Sequence, residues 1–227
     1  MTEQEPPSRQ ALEELAHFLA ATPCVHPLRV AIDGRSAAGK TTLADALVMP
    51  IERLGRPAIR IQIDDFHRPA AQRRQRHALL PWQRYFLDSY DHPAIRATLL
   101  PLGPGGDRRY RRAHFDSYRD VPFAEPLREA PANAVILVDG VFLLRPELAD
   151  LWDVRVFVMI AADDSRQRGP LRDQVWVGSV EAAAQQYHTT YIPAEDHYIA
   201  TIQPHACADV IIDNRDFAAP VVHFCNR

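Results

Sequence analysis

The chain has 227 residues, of which 47% are hydrophobic and 24% are charged, and its formal net charge is −3 at pH 7. This composition predicts one α/β domain over residues 1–227 and excludes a general electrostatic attraction for nucleic acid. No apolar stretch is long enough to span a bilayer, and residues 1–5 are acidic and lack the basic and apolar regions typical of a secretory signal, so none is expected. Three cysteines without CxxC spacing argue against a disulfide framework or a structural zinc site, so we expect a cytoplasmic protein.

An amphipathic helix is predicted near the start of the chain. Apolar side chains recur at Leu12, Leu15, Phe18 and Leu19, which is the spacing of one helical face. We therefore expect an N-terminal helix within about residues 1–24 that packs outside the sheet.

A phosphate-binding motif follows. Residues 34–41 read GRSAAGKT, a complete GxxxxGK(S/T) motif, between an apolar run at 28–33 and a helical pattern at 41–47. This context disfavours the alternative, a glycine-containing turn that matches the motif by chance. The glycines allow positive φ, the lysine reaches the β and γ oxygens of a polyphosphate, and the threonine hydroxyl can ligate Mg²⁺. The residues expected to bind nucleotide are Gly34, Arg35, Ser36, Ala37, Ala38, Gly39, Lys40, Thr41 and Thr42.

Further strands are predicted at residues 58–63, 134–138, 154–160 and 208–212, with helical patterns between most of them. Alternating strands and helices predict a three-layer α/β fold around a parallel five-stranded sheet. Ligands in such folds bind at the carboxyl ends of the strands, so the residues that follow each strand are the candidates for chemistry.

Two predicted strands end in carboxylates. Asp64 and Asp65 follow the strand at 58–63, where a carboxylate can accept a proton from an attacking hydroxyl or hold a metal-bound water. Their alternative role is ordinary capping of the next turn. Asp139 ends the run VILVD in the Walker-B arrangement, in which the acid positions the water shell of Mg²⁺. Taken alone, that pattern also fits a buried strand that ends in Asp at a turn.

Glycine-rich turn chemistry at residues 102–107 predicts an excursion from the core. We interpret it as a small hairpin lobe over about residues 100–130. Polar and aromatic residues of this lobe could line a hydroxyl-rich substrate pocket, although each of them singly is typical of a structural residue. They are Tyr110, His114 and Arg119.

An arginine-bearing lid is predicted over about residues 163–180. Arg168 and Arg172 are four residues apart, so on a helix they share one face and could close on the transferring phosphoryl group. The alternative is a solvated helix face on which these arginines pair with Asp164 or Asp173.

Taken together, these segments resemble the uridine kinase family of P-loop nucleoside kinases, which neighbours phosphoribulokinase and pantothenate kinase. The resemblance runs from residue 28 to residue 213 and depends on landmarks that occur in the family's order. After the phosphate loop they are residues 64–67 (DDFH), 90–93 (YDHP, where the family has Phe-Asp-His-Pro), 168–173 (RGPLRD), 186–187 (QY), 193–194 (PA) and 208–212 (ADVII).

The resemblance implies transfer of the γ-phosphoryl group of ATP to the 5′-hydroxyl of uridine or cytidine. It implies that Asp64 is the catalytic base and that Asp91 binds the ribose hydroxyls. The candidate acceptor-binding residues are His67, Asp91, Tyr110, His114, Tyr118, Arg119 and Gln186.

The resemblance also implies a donor site for ATP and Mg²⁺. Arg168 and Arg172 would contact phosphate, and with Lys40 they would stabilise the charge on the transferring phosphoryl oxygens. Thr41 and Asp139 would organise the metal.

The chain departs from the family pattern mainly around the acceptor. Asp139 replaces a glutamate, residues 169–170 (GP) replace an arginine and an apolar residue, and residues 115–119 are only a loose counterpart of the base-reading segment. The lid is therefore expected to close differently or to bind phosphate less tightly. Three alternatives stay open: a kinase for another small-molecule alcohol, a P-loop regulatory ATPase without an acceptor, and a nucleotide-binding protein without turnover. The partner expected is a small molecule, and a homo-oligomer also stays open.

Overall fold

The computed structural model describes residues 9–216 and 219–225. The strands in chain order are β1 (Leu28–Gly34), β2 (Ala58–Gln62), β3 (Arg109–Tyr110), β4 (Phe115–Asp116), β5 (Val121–Pro122), β6 (Arg128–Glu129), β7 (Val135–Asp139), β8 (Val154–Met159), β9 (Val210–Asp213) and β10 (Val221–Phe224).

The helices in chain order are α1 (Arg9–Ala21), α2 (Lys40–Arg53), α3 (Ala70–Arg73), α4 (Pro81–Asp88), α5 (His92–Leu99), α6 (Ala162–Val177), α7 (Val180–Gln186), α8 (Ile192–Ile202) and α9 (Pro204–Cys207). A π-helical turn, Tyr187–Tyr191, joins α7 to α8, and a 3₁₀ turn, Ile63–Asp65, follows β2. Within the described ranges, no helix has both the length and the apolar character needed to cross a membrane.

The central sheet has six strands in the order β10–β9–β8–β1–β7–β2. The strands from β9 to β2 run parallel, and β10 is antiparallel to β9. The predicted three-layer α/β architecture is confirmed, but the predicted strand count of five is wrong. The sixth strand carries little sequence signal because it is a four-residue edge strand in which Val221 and Phe224 are exposed.

Strands β1, β7 and β2 end in register at one edge of the sheet. Ile32 of β1 pairs with Asp139 of β7, and Asp139 pairs with Gln62 of β2. The phosphate loop after β1, the carboxylate of Asp139 and the acidic pair that follows Gln62 therefore lie along the same edge.

The buried strands have helices on both faces because successive side chains of a strand point to opposite sides. Val30 and Ile32 of β1 pack with Leu15 of α1 and Leu47 of α2 on one face. The intervening residue Ala31 belongs to the core on the other face, which includes side chains of α5 and α8. The sheet therefore packs against apolar helix faces on both sides. Each fully buried large side chain contributes about 1.5–3 kcal/mol to the free energy of folding.

The N-terminal helix is present as α1, and its apolar face is buried. Leu15 and Leu19 have no solvent exposure, and both belong to the core that includes α2. The predicted span of this helix began earlier in the chain, and residues 1–8 lie outside the described residues.

The lobe at residues 100–130 contains two nested antiparallel pairs of short strands, β3 with β6 and β4 with β5. The lobe is attached to the segment after β2 because the backbone N–H of His114 donates to the carbonyl of Asp65 at 2.9 Å. A bridge between Phe66 and Phe115 extends this attachment. The lobe is therefore positioned beside the carboxyl end of β2.

Candidate active site

The phosphate loop joins β1 to α2 through two residues with left-handed backbone conformations. Ala37 has a φ of 60°, and Gly39, at the N-cap of α2, has a φ of 87°. Lys40 is buried, and its Nζ donates to the carbonyl of Arg35 at 2.7 Å. The first backbone N–H groups of an α-helix lack intrahelical acceptors, so the start of α2 can hold a polyphosphate.

Side chains from three distant elements hold the loop in place. The carboxylate of Glu195 on α8 accepts from the backbone N–H of Ser36 at 2.8 Å, and Ser165 Oγ on α6 donates to the carbonyl of Ser36 at 2.8 Å. Asn214, which follows β9, donates from Nδ2 to the carbonyl of Ala38 at 2.9 Å. The loop is therefore fixed before any ligand binds, which lowers the ordering cost of binding.

Buried charges surround Lys40. Burial lowers the pKa of Lys40, the carboxylates of Glu195 and Asp33 raise it, and the guanidinium of Arg172 lowers it again. Burial also raises the pKa of Asp33, although the Tyr198 hydroxyl donates to its Oδ2 at 2.5 Å and opposes that shift. Bound phosphate would add negative charge beside the amine and so favour its protonated form.

Thr41 and Asp139 form the oxygen pair expected of a magnesium site. Thr41 Oγ1 donates to Asp139 Oδ2 at 2.5 Å. Asp139 Oδ1 is buried and makes no well-directed hydrogen bond in the described ranges, although Arg60 Nη2 lies 2.9 Å from it. A hydroxyl and a carboxylate at the start of a phosphate-binding helix match the oxygen ligands that Mg²⁺ prefers, so these residues fit that ion.

The acidic pair after β2 has two different environments. The side chain of Asp64 is 73% exposed, and its Oδ1 accepts from the hydroxyl of Tyr90 at 3.0 Å. Burial, together with the charge of Asp64, raises the pKa of Asp65 to about 6. Asp64 is thus the carboxylate that an acceptor can reach.

The lid residues form helix α6, and the two arginines predicted to contact phosphate have different partners. Arg172 Nε donates to Asp173 Oδ1 at 2.6 Å, and Arg172 Nη2 donates to the hydroxyl of Tyr187 at 3.3 Å. Arg168 Nη2 donates instead to the backbone carbonyl of Arg215 at 3.1 Å. Arg168 Nη2 also lies 3.5 Å from Asp164 Oδ1. The two arginines therefore form the pairs with Asp164 and Asp173 that the alternative interpretation expects, and their contact with phosphate stays a prediction.

The departure from the family pattern at residue 169 has a structural cause. A Cβ at Gly169 would lie 2.0 Å from Cζ of Tyr187, whose ring is buried. The hydroxyl of Tyr187 donates to Asp173 Oδ2 at 2.8 Å, so the ring that fills the space beside Gly169 also supports the ion pair of Arg172 and Asp173.

Three candidate acceptor residues lie outside the lobe. Asp91 caps α5 by accepting from the backbone N–H of Ala94 at 3.0 Å. His67 is largely buried, and its Nε2 lies 3.8 Å from Oδ1 of Asp64. Gln186 Nε2 donates to the hydroxyl of Tyr191 at 2.5 Å. The structure brings His67 next to Asp64, whereas Asp91 and Gln186 also have local structural roles.

The four lobe candidates differ in exposure. Tyr110 is 6% exposed and belongs to the core, whereas His114 and Arg119 are exposed. Tyr118 is 76% exposed, and its ring centroid lies 5.2 Å from that of Trp176 on α6. Of the four, Tyr118 is therefore the residue at which the lobe touches the lid, and Tyr110 has only a small accessible edge.

A cluster of metal-ligand types also occurs away from this site. In the part of the chain that the structure describes, Cys24, His26 and Asp153 each place one ligand atom within 4.8 Å of the others. However, Asp153 accepts from Arg29 Nε at 3.1 Å and from Nη2 at 3.0 Å. The carboxylate already has a cation as its partner, so this cluster gives no support for a metal centre.

Sequence reasoning missed Arg60 and Glu195, and it noted Gly169 only as a departure from the family pattern, without its approach to Tyr187. Arg60, which lies beside Asp139, could have been identified from sequence, because a basic residue within an apolar strand predicts a carboxylate partner. Gly169 also carries a signal, because a glycine inside a helix marks a close approach. Glu195 has no local signal, because its contact with the phosphate loop joins residues far apart in the chain.

The chain is similar in sequence and in fold to known proteins. The model of the phosphoribulokinase / uridine kinase family matches residues 30–217. Uridine-cytidine kinase B of Dictyostelium discoideum is 30% identical over 189 residues, which cover 82% of this chain and 74% of that protein. Uridine kinase of Lactococcus lactis subsp. cremoris (strain MG1363) is 26% identical over 200 residues, covering 81% and 91%. The solved structure of a "Possible Uridine Kinase" from Bacillus stearothermophilus has a TM-score of 0.70 at 22% identity, covering 89% of this chain and 97% of that one, and shows the shared fold.

Proposed function

Because the chain belongs to the phosphoribulokinase / uridine kinase family, we propose that this phosphotransferase moves the γ-phosphoryl group of ATP to the 5′-hydroxyl of uridine or cytidine. The observation that carries the proposal is the exposed carboxylate of Asp64 on the same sheet edge as the phosphate loop. The names of the curated relatives support a nucleoside as the acceptor.

Asp64 is proposed as the general base. Its exposed carboxylate accepts the proton of the 5′-hydroxyl as that oxygen bonds to the γ-phosphorus and the bond to the leaving ADP oxygen breaks. The protein forms no covalent bond to the phosphoryl group in this reaction. The rate enhancement therefore comes mainly from placing the hydroxyl and the phosphate in line.

Charge stabilisation is proposed for Lys40 and Arg172, since the guanidinium of Arg172 lies close enough to lower the pKa of the Lys40 amine. Two cations on the transferring group offset the charge that develops on its oxygens. When Mg²⁺ is bound, Thr41 and Asp139 would hold it, and it would neutralise phosphate charge. Arg168 reaches the donor only if its side chain leaves the backbone carbonyl of Arg215.

The acceptor pocket is proposed between the segment after β2, the lobe and α7. His67 and Asp91 would bind the sugar, Gln186 would approach from the lid side, and Tyr118 would contact the base. The further lobe candidates are Tyr110, through its accessible edge, His114 and Arg119.

A cytoplasmic location is also proposed. All three cysteines are free, and Cys207 is exposed. Free thiols persist in a reducing compartment such as the cytoplasm.

The experiment is ADP release with Mg-ATP against uridine, cytidine, purine nucleosides, ribulose 5-phosphate and pantothenate, with 5′-deoxyuridine as the matched control. Stimulation by uridine or cytidine, but not by 5′-deoxyuridine, is the expected result because only the 5′-hydroxyl accepts phosphate. Stimulation by another alcohol would replace the nucleoside with that acceptor. A rate that no acceptor raises would favour a regulatory ATPase.

A further inference from the structure

The backbone around Tyr90 is fixed beside the 3₁₀ turn that carries Asp64. The N–H of Asp91 donates to the carbonyl of Phe66 at 2.9 Å, and the N–H of Arg68 donates to the carbonyl of Ser89 at 2.9 Å. Between these two hydrogen bonds, residues 67 and 90 form an antiparallel bridge. The backbone of Tyr90 is therefore held in a short paired segment next to Asp64.

The Tyr90 side chain is immobilised as well. It is 4% exposed, and its ring is stacked on that of His67 with centroids 4.5 Å apart and planes 21° apart. Its hydroxyl donates to Oδ1 of Asp64 at 3.0 Å, and Tyr85 forms a hydrogen bond with it. Burial, with the charge of Asp64, raises the pKa of Tyr90 well above its usual value. The phenol thus keeps its proton and donates across the physiological pH range.

The neighbouring histidine does not provide this hydrogen bond. His67 Nδ1 lies 3.0 Å from the carbonyl of Ser89, which fixes the ring through a different atom. Its Nε2 is 3.8 Å from Oδ1 of Asp64, which exceeds hydrogen-bond distance. Burial lowers the pKa of His67, so the neutral ring adds no counter-charge at neutral pH.

We propose that Tyr90 is a positioning residue for phosphoryl transfer: its hydroxyl holds Oδ1 of Asp64, so that Oδ2 meets the acceptor hydroxyl. The inference depends on the proposed role of Asp64 as base. An exposed aspartate samples several rotamers, and one fixed hydrogen bond selects among them. The family segment that residues 90–93 resemble has phenylalanine at this place, so the hydroxyl is a feature of this chain rather than of the segment.

The test is a double-mutant cycle with Tyr90→Phe, Asp64→Asn and the double variant. We expect Tyr90→Phe to lower kcat about 10-fold while KM for ATP changes less than about twofold, because a misplaced base slows chemistry without altering donor binding. In the Asp64→Asn background, Tyr90→Phe should cost less than about twofold, because the group through which it acts is already gone. A kcat of Tyr90→Phe within about twofold of wild type, or an undiminished loss in the Asp64→Asn background, would overturn the proposal.

Tyr198→Phe is the matched control. It removes the hydroxyl of another buried tyrosine that donates to an aspartate, Asp33 of β1. Its effect on kcat should multiply with that of Asp64→Asn, because the two act independently. If the effects of both tyrosine substitutions on kcat fail to multiply with that of Asp64→Asn, the cause is a general loss of folding. That result would contradict a specific role of Tyr90.

Urea unfolding separates this proposal from the proposed function. If wild type turns over no acceptor, the proposed function fails, and the Tyr90–Asp64 contact is judged by unfolding of Asp64→Ala, Tyr90→Phe and the double variant. If the contact exists, the change in the unfolding constant of the double variant should differ by about threefold or more from the product of the changes in the two single variants. Independent effects would mean that the hydroxyl does not hold Asp64, which would overturn the inference on its own.

Discussion

The carboxyl of Asp65 shows how burial sets the charge of a single residue. Burial, with the adjacent charge of Asp64, raises its pKa from 3.8 to about 6. Because the folded-state pKa exceeds the unfolded value, the native state binds the proton more tightly than the unfolded chain does. Ionisation of Asp65 therefore costs stability, and that cost appears as the pH rises from about 4 through about 6.

We predict that Asp65→Asn removes this cost. Without Mg²⁺, the variant and wild type should melt at similar temperatures near pH 4 or below, and the variant should melt a few °C higher above about pH 7, after discounting for solvent screening. Differential scanning calorimetry across this range checks it. Glu52→Gln, an equal change of charge at an exposed position on α2, is the control and should show no such rise. A difference that does not grow with pH would contradict the account.

Residue types at the strand ends could be predicted from sequence, but their partners could not. Thr41 and Asp139 were expected on one sheet edge, and the structure brings them within hydrogen-bond distance. Their role as metal ligands stays a prediction. The hydroxyl of Tyr90 on Asp64 and the guanidinium of Arg60 on Asp139 depend on side-chain reach between elements, and no local pattern encodes that distance.

Helix α6 contains a glycine whose missing side chain leaves room for a buried aromatic ring. Gly169 faces the buried ring of Tyr187, and Tyr187 in turn supports Asp173 and Arg172. This chain therefore lacks the arginine that the family pattern has at position 169. The space is filled by the ring of Tyr187, whose hydroxyl contacts Arg172 and Asp173.

We predict that Gly169→Arg, which introduces the residue usual in the family pattern, destabilises this chain. The side chain has no space unless Tyr187 moves, so the free energy of unfolding should fall by about 2–3 kcal/mol or more and the melting temperature by about 5–10 °C. Leu171→Arg adds the same side chain on the same helix at a position that is 60% exposed and should melt close to wild type. An unchanged melting temperature of Gly169→Arg would refute the packing argument.

A second prediction on α6 concerns its charges. Arg172→Ala should lower kcat about 10²-fold or more, because a cation near the transferring phosphoryl group is lost. Arg166→Ala, which removes an exposed arginine paired with Asp163 on the same helix, should leave kcat within about twofold of wild type. Steady-state kinetics with Mg-ATP and the stimulating acceptor measure both. Equal effects of the two variants would place Arg172 on a solvated face instead.

At the scale of elements, local periodicity and turn chemistry predict the parallel strands, α1 and the lobe. The edge strand β10 does not, because a four-residue strand with exposed side chains gains its stability from pairing with β9. The π-helical turn Tyr187–Tyr191 was not predicted either, because its first residue packs against Gly169 of α6, a contact between elements that no local pattern gives.

The whole molecule brings its chemistry to one edge because three adjacent strands end in register. β1 leads to the phosphate loop, β7 ends at Asp139, and β2 leads to Asp64. Helices α6 and α8 then hold the phosphate loop from outside the sheet through Ser165 and Glu195. Binding of nucleotide is therefore linked to the stability of the entire sheet.

We predict that Mg-ATP stabilises wild type and fails to stabilise Lys40→Ala. At a ligand concentration of about 100 times Kd, the free energy of unfolding should rise by about 2.7 kcal/mol and the melting temperature by about 5–10 °C. Arg53→Ala, at the exposed far end of the same helix, should keep the full shift. A shift in Lys40→Ala equal to that of wild type would show that ATP binds elsewhere.

The most direct test of the central claim is the identity of the product. Purified wild type and Asp64→Asn are incubated with Mg-ATP and uridine or cytidine, and nucleoside 5′-monophosphate is measured by mass spectrometry. The account predicts one monophosphate per ADP with wild type and a rate at least about 10²-fold lower with Asp64→Asn. ADP without any nucleoside 5′-monophosphate, or equal rates for the two proteins, would contradict it.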